Sequence, residues 1–559
     1  MDDVREGLIG HWPLNGDCRD HSGNGHDGRN HGVSFTADGA TFDGRGAQIE
    51  VHPAFRPGPG DFSISVRAHT DERLDDIPGD LLSQYDPVTR TGFSFGIQSL
   101  AGVTSAQSND RHLHFGIDAG RIDPAWTGCG RPGNNLFVCA LAVYEGQLYA
   151  GTFEEGADEA GHVYRYSEGT RWIDCGSPDP CNSITALAVY NGKLYAGVSR
   201  YKAAGSSLPD SPNQHPGGKI YRYEGGKEWT DCGKLTGPSI SQVVNPDYMK
   251  RFTGWNPDEV DGIHGMAVYD GALYVIPMYH QGLFRYEGGT TWTDCGTPGV
   301  RLMSLTVFNG HLYAAGNDGN KHGGVYRYDG KSWTRTGDQP GVTQVYSFAT
   351  YEGKLYVGTW PEATVFRYDG REGRRSGESS GEGETWTNCG RLGQELEVMG
   401  MAVYNGKLYA GTLPLAEVYR YDGESWTRTG QLDTTPDVRY RRAWSMAVFQ
   451  GKLFCGTLPS GHVHSLEAGK SVTYDHDLKP GWRHLVAVRH NDRLKLYVDG
   501  RLVATSSPFN PADYDLSSDS PLRIGFGAHD GFNGKMRDLR LYSRALTDAE
   551  VSTLHRLPE

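Results

Sequence analysis

The chain has no apolar run near the length a bilayer demands, which excludes a helical membrane span. It has no C-x-x-C pair and no zinc-type cysteine spacing. It has no cationic excess: 54 Lys and Arg stand against 68 Asp and Glu, a net charge of −14. That balance argues against nucleic acid or anionic lipid as the main partner. The basic run Arg371–Arg375 continues into Ser, Gly and Glu and reads as a solvated loop. The opening MDDVREG is acidic and polar, unlike a signal peptide; as it stands the chain reads as cytoplasmic, and as secreted if a leader was removed. Five of the nine cysteines (Cys129, Cys175, Cys232, Cys295, Cys389) fall in one column of a repeat, where Thr336 and Thr429 also stand. Equivalent positions in neighbouring repeats lie too far apart for a disulfide. A column shared by Cys and Thr asks for a small buried side chain, and the pattern leans towards a reducing compartment.

What the chain does have is a thirteen-residue phrase written seven times: ALAVYEGQLYAGT from Ala140, then copies from Ala186, Gly265, Ser304, Ser347, Gly400 and Ser445. Each copy reads as strand, turn, strand, with NGK, EGK or DGA at the turn. A VYRYDG-like strand follows most copies, then a W-T-x-C-G strand. Four antiparallel strands per repeat describe a propeller blade, so seven blades are expected. The seventh copy lacks its fourth strand, and that strand stands before the first copy, as Ala125–Gly130. A blade assembled from both ends closes the ring and removes its exposed edges. Each phrase opens on Ala, Gly or Ser, as convergence on an axis requires.

The flanks are period-2 strands with Gly, Asn and Asp turns, and neither flank has enough of them to bury a core alone. The first carries GHWPLNG with D-x-SGNG; the second carries Trp482 with LVAV, then LYVDG, PLRIG and F-x-G with LRLYSRAL. In order and spacing these phrases resemble the laminin-G-like, concanavalin-A-like jelly roll. The expected fold is therefore all-β: a seven-bladed propeller inserted into one sandwich. Residues 1–120 supply the first half, 121–468 the propeller and 469–559 the second half. The resemblance also implies a structural calcium ion at the sandwich edge, held by Asp20, Asn24 and Asp538. Arg537 stands where the family places its second carboxylate. The alternative for Asp20 and Asp538 is that they cap turns.

A propeller names no function. The informative places are those where the copies depart from their consensus, and they fall on one rim. The residue before each phrase forms a ring: Cys139, Thr185, His264, Met303, Tyr346, Met399 and Trp444. Rim loops add Tyr248, Lys250, Arg251, Tyr279, His280, Arg301, Asn317, Asn320, Lys321, His322, Trp360, Arg439, Tyr440, Arg441 and Arg442. Histidines, aromatics and cations thus collect on one face of an acidic protein. Aromatic rings stack on sugars, Arg and Lys pair with carboxylate or sulfate, and His with Tyr can move protons. The set is similar to that of propeller-fold polysaccharide lyases. It assigns catalysis to His264, His280, Tyr279, His322, Arg251 and Arg301. Tyr248, Asn317, Lys321, Tyr346, Trp360, Arg439, Tyr440, Arg441 and Trp444 are expected to bind substrate. A glycosidase needs two facing carboxylates. The readings that follow are an enzyme on a uronate-containing oligo- or polysaccharide, a non-catalytic glycan-binding or adhesion protein, and a protein-interaction scaffold. No organic cofactor is expected.

Overall fold

The computed structural model describes residues 4–120, 124–242, 256–317, 323–370 and 385–557. Seven four-stranded blades ring a central axis. The first contains Phe137–Tyr144, Gln147–Phe153, Val163–Glu168 and Arg171–Asp174; the seventh opens with Arg442–Phe449. Its outer edge is closed by Thr127–Gly128, which pairs with Ser465 and His464. Every turn between the first two strands of a blade has two left-handed residues. The first has φ between 44° and 49° (Glu145, Asn191, Asp270, Asn309, Glu352, Asn405, Gln450), and a Gly follows. This is the type I′ geometry that the strand twist favours, and it explains the xG dipeptide in each copy.

The W-T-x-C-G strand ties most blades to a neighbour. The indole N–H of Trp172 donates to Cys129 O at 2.9 Å, that of Trp229 to Cys175 O at 3.0 Å, that of Trp292 to Cys232 O at 2.8 Å and that of Trp426 to Cys389 O at 3.0 Å. Where Thr replaces Cys, its hydroxyl donates to the third strand: Thr336 to Val325 O and Thr429 to Val418 O, each at 3.0 Å. All nine cysteines are free thiols.

The flanks make one sandwich whose strands alternate between chain halves. One sheet runs in the order Gly39–Asp43, Asn533–Tyr542, Phe62–Thr70, Gly481–His490. The second contains Gln48–Val51, Leu522–Ile524, Gly79–Asp86, Thr91–Leu100, Asn109–Ala119 and Lys470–Tyr474. Between them lies an apolar core that includes Trp12, Phe62, Phe93, Phe95, Phe115 and Leu485. The propeller leaves and rejoins through adjacent strands, where Ile117 pairs with Lys470. Neighbouring ends of this kind are what an insertion at a hairpin requires.

The two domains dock face to face. The uniform type I′ turns rest on the second sheet of the sandwich. Gly146 N donates to Asp475 O at 2.8 Å, Asp270 N to Leu74 O at 3.1 Å and Glu352 N to Ala528 O at 2.9 Å. Gly451 N donates to Thr473 Oγ1 at 3.0 Å, and buried Lys407 pairs with buried Asp118 at 2.5 Å. The turns are uniform because they share one job, so the rim that diverges is the opposite one.

A sandwich hairpin also enters the ring. Residues 101–108 (AGVTSAQS) join Thr91–Leu100 to Asn109–Ala119 and run up the axis. Val143 N donates to Ser108 O at 2.8 Å, Gln107 N to Leu187 O at 3.1 Å, and Phe348 N to Gly102 O at 3.0 Å. Val268 N reaches Gln107 Oε1 at 2.7 Å, Ser304 Oγ reaches Gly102 O at 3.1 Å, and Val448 N reaches Asn109 Oδ1 at 3.0 Å. Val103 packs with Ala402 and Met446. Every blade therefore touches the hairpin through its innermost strand. The Gly that opens the sixth phrase is required by the next blade: a Cβ on Gly400 would stand 2.1 Å from Trp444 O.

Candidate functional site at the channel mouth

Above the hairpin the channel opens into a pocket of about 270 Å³, whose floor includes Ser105. Its walls come from all seven blades, with Cys139, Thr185, His264, Met303, Tyr346, Glu397 and Trp444 one from each in turn. Local geometry explains the choice of residues. Every innermost strand carries a register shift just before its phrase, as between Ile263 and Gly265, Leu302 and Ser304, and Val345 and Ser347. A bulge turns its extra residue out of the ladder, here towards the axis. Two residues earlier on the same strands stand Arg301, Gln344, Glu397 and Arg442, and these also line the pocket.

The electrostatics are unusual. His264 is buried, and burial together with the like charge of Arg301 pushes its pKa down to about 3. Its imidazole is therefore neutral at pH 7, and its Nδ1 has no partner among the described residues. Glu397 is 5 % exposed, and burial pushes its pKa up to about 8 against the opposing pull of Arg442. It is a neutral acid at pH 7. Tyr346 is raised by burial first and by Glu397 next, so it keeps its proton. Arg442 donates to Ser206 Oγ at 2.7 Å and lies 5.4 Å over the Trp444 ring. The Nε atoms of Arg301 and Arg442 have no partner among the described residues.

One wall is built on Tyr279. Its ring is flanked by Lys202 Nζ and by Arg301, each 5.0 Å from the centroid. Its φ is +64°, a left-handed conformation that bulky residues rarely adopt. Such conformations persist where the surroundings over-determine them, often at ligand sites. Lys202 and Arg200 also meet Asp261, at 3.5 and 2.6 Å. An aromatic ladder lines the far side: His264 to Tyr346 at 6.2 Å, Tyr346 to Trp444 at 5.4 Å, and Phe137 to Trp444 at 5.0 Å.

Of the residues expected from sequence, the pocket brings together His264, Tyr279, His280, Arg301, Asn317, Tyr346, Trp360, Tyr440 and Trp444. His280 sits with its two ring nitrogens 3.2 Å from Met278 O and 3.1 Å from Asn256 O. A neutral imidazole has a single N–H, so one carbonyl at a time accepts from it; the ring braces the wall. Asn317 donates to Gln344 Oε1 at 2.8 Å. Arg441 points away, donating to Thr435 O at 3.2 Å, and Arg439 stacks outside the pocket on Tyr440 at 4.8 Å. Tyr248, Arg251, Lys321 and His322 lie outside the described residues. Sequence reasoning missed Glu397, Gln344 and Tyr201. The first two were within reach: they sit two residues before the ring position, on the same face of the strand.

The sandwich edge does not fit a calcium ion. Asp20 accepts from His11 N, Ser22 N, Ser22 Oγ and His26 N at 2.8–3.0 Å. Burial raises its pKa, but these donors outweigh burial and hold it below the ordinary value. Asp538 is taken by His11 Nε2 at 2.9 Å and Arg540 Nε at 2.8 Å. The Asn24 amide donates to Leu8 O and Ile9 O. Asp20 is spent on backbone and hydroxyl donors, and Asp538 on the side chains of His11 and Arg540. Among the described residues no group of three or more His, Cys, Asp or Glu is arranged for a metal.

Residues 426–552 match the concanavalin A-like lectin/glucanases superfamily. The chain is a β-propeller joined to a laminin-G-like, concanavalin-A-like sandwich. Similar solved structures include the WD40 β-propeller domain of Doa1, with 12% identity, a TM-score of 0.38 and coverage of 61% of this chain and 96% of that one. YCF48 bound to D1 peptide is similar at 10% identity and TM-score 0.38, over 61% and 96% of the two chains. The Cps50 (Swd1) propeller domain of Myceliophteria thermophila has 9% identity and TM-score 0.39, over 61% and 99%. No curated protein matches the chain.

Proposed function

We propose that the channel mouth binds a uronate unit of an acidic glycan and cleaves its C4–O4 bond by β-elimination. One observation carries this reading: two guanidinium groups, the half-buried Arg301 and the buried Arg442, share a small aromatic pocket with a neutral histidine. In a water-poor site such cations pair with a carboxylate. The pairing neutralises the uronate and makes its C5 proton more acidic. His264 takes that proton, the C5–H electrons form the C4=C5 double bond, the C4–O4 bond breaks, and Tyr346 gives its proton to the leaving O4. Burial is the larger cause of the depressed His264 pKa and the like charge of Arg301 the lesser; a substrate carboxylate beside Arg301 offsets the lesser one. Half-buried Trp360 offers a ring face to sugar.

Hydrolysis is less well supported, because Glu397 is the one carboxylate lining the pocket among the described residues, and glycosidases use two. The second reading, a glycan-binding protein without turnover, is favoured by the low pKa of His264 in the free protein. The test is incubation with a panel of uronate polysaccharides and oligosaccharides, following the near-ultraviolet absorbance of an unsaturated uronate. Product formation abolished in His264→Ala supports elimination. Binding without product in every case, unchanged in His264→Ala, favours the second reading.

A further inference from the structure

We infer that the pocket admits only the reducing-end unit of an acidic chain, so that the protein trims termini and does not cut within a polymer. This rests on the elimination reading above. Its own evidence is the shape of the site. A groove that binds the middle of a polymer needs two open ends. Here side chains from all seven blades wall the pocket, and the 101–108 hairpin closes the channel beneath Ser105. The hairpin is not a loose stopper: Gly102 through Ser108 are all buried, with hydrogen bonds to five of the seven innermost strands, those holding Cys139 and Val143, Leu187, Val268, Ser304 and Phe348. The space is about 270 Å³, below the ~300–1,000 Å³ typical of drug-sized ligand sites. It suits a single sugar unit.

Chemistry then fixes which end enters. In β-elimination the uronate that loses its C5 proton loses the unit attached at O4 and keeps whatever is attached at C1. The groups that engage C5 and the carboxylate (His264, Arg301 and Arg442) line the closed pit. The reacting uronate therefore fills the pit. Its O4 faces the mouth, where the rest of the chain extends, and its C1 side meets a dead end. Among the described residues, a sugar attached at C1 has no exit. Each cycle thus releases one unsaturated monouronate from the reducing end and leaves the chain one unit shorter.

The experiment compares O4-linked tetrauronates, α- and β-linked, with the reducing end free or carrying a bulky 2-aminobenzamide label, by mass spectrometry of early products. The expected result is monomer and trimer from the free tetramer, and cleavage of the labelled tetramer slowed at least about ten-fold. Dimers as first products, or equal rates with and without the label, overturn the inference while leaving the elimination reading intact. If neither tetramer is cleaved, elimination itself has failed, and calorimetric binding decides. Free monouronate should then compete with the free tetramer, and the labelled tetramer should bind at least about ten-fold more weakly. Equal binding of labelled and free tetramers overturns the inference.

Discussion

Replacing Glu397 by Gln should stabilise this protein at neutral pH, by an amount that grows with pH. Glu397 is 5 % exposed, with Oε1 unpartnered among the described residues, and its pKa stands at about 8 against an ordinary 4.5. Burial is the main cause; Arg442 opposes it. The sign follows from proton linkage. A carboxyl with a raised folded pKa stabilises fully below its unfolded pKa, and that contribution is lost as pH rises through the folded pKa. Between pH 4.5 and 8 the loss approaches about 5 kcal/mol, and by pH 7 it amounts to about 3 kcal/mol. Gln keeps the shape and an acceptor oxygen but does not ionise. Urea denaturation of both proteins at pH 5, 6, 7 and 8 gives the difference directly. Other buried acids, such as Asp80, shift in the same direction and cancel between the two proteins. The stability gap should be small at pH 5 and widen by several kcal/mol towards pH 8. A gap that stays constant across this range refutes the reasoning, because it means that Glu397 ionises equally in the folded and unfolded states.

The same group sets the charge of the pocket, so affinity for an anionic sugar should fall as pH rises past about 8 in the wild type and stay level in Glu397→Gln, read by calorimetry. Arg301→Ala and Arg442→Ala should each weaken anion binding by about 1.5–3 kcal/mol, the value of a charge-assisted hydrogen bond, with neutral sugars unaffected. His264→Ala should cut turnover by a factor of about 10²–10⁴ with little change in melting temperature, whereas His280→Ala should cost about 1–3 kcal/mol of stability through the carbonyl that loses its donor. Chelator should leave the melting temperature unchanged, because Asp20 and Asp538 are held by His11, Ser22, His26 and Arg540; a drop on chelation means that those donors give way to an ion.

The architecture was legible because repetition amplifies weak local signals. A single AVYNGKLYAG hairpin is ambiguous, but seven of them with a displaced closing strand at Thr127–Gly128 admit few arrangements. The ring position before each phrase was legible for the same reason, and it found His264, Tyr346 and Trp444. Glu397 escaped because a Glu in a strand reads as a solvent-facing residue; only the bulge before Met401 and the two-residue spacing turn it inward. Arg439 and Arg441 erred the other way. Adjacent cations in a loop look alike in sequence, yet Arg442, the first residue of its strand, enters the pocket while Arg441 is drawn off by Thr435 O. No repeat-based argument could reach the hairpin at 101–108, since it belongs to the other domain and its small polar residues resemble any exposed turn.

That hairpin changes what the uniformity of the repeats means. Taken alone, seven near-identical turns suggest a propeller that is symmetric wherever it is not functional. In the folded chain those turns and the small-residue column form one continuous contact with the sandwich, from Gly146 on Asp475 to Ser304 on Gly102. Uniformity therefore records a fixed interface, and divergence on the opposite rim records the freedom that remains. The consequence is mechanical as well as functional. The sandwich does not merely carry the propeller but supplies the floor of its pocket, since Ser105 belongs to the sandwich while His264, Arg301 and Glu397 belong to the blades. Neither domain has a complete site without the other, which gives a physical reason for one chain to wrap a propeller around a loop of its own host.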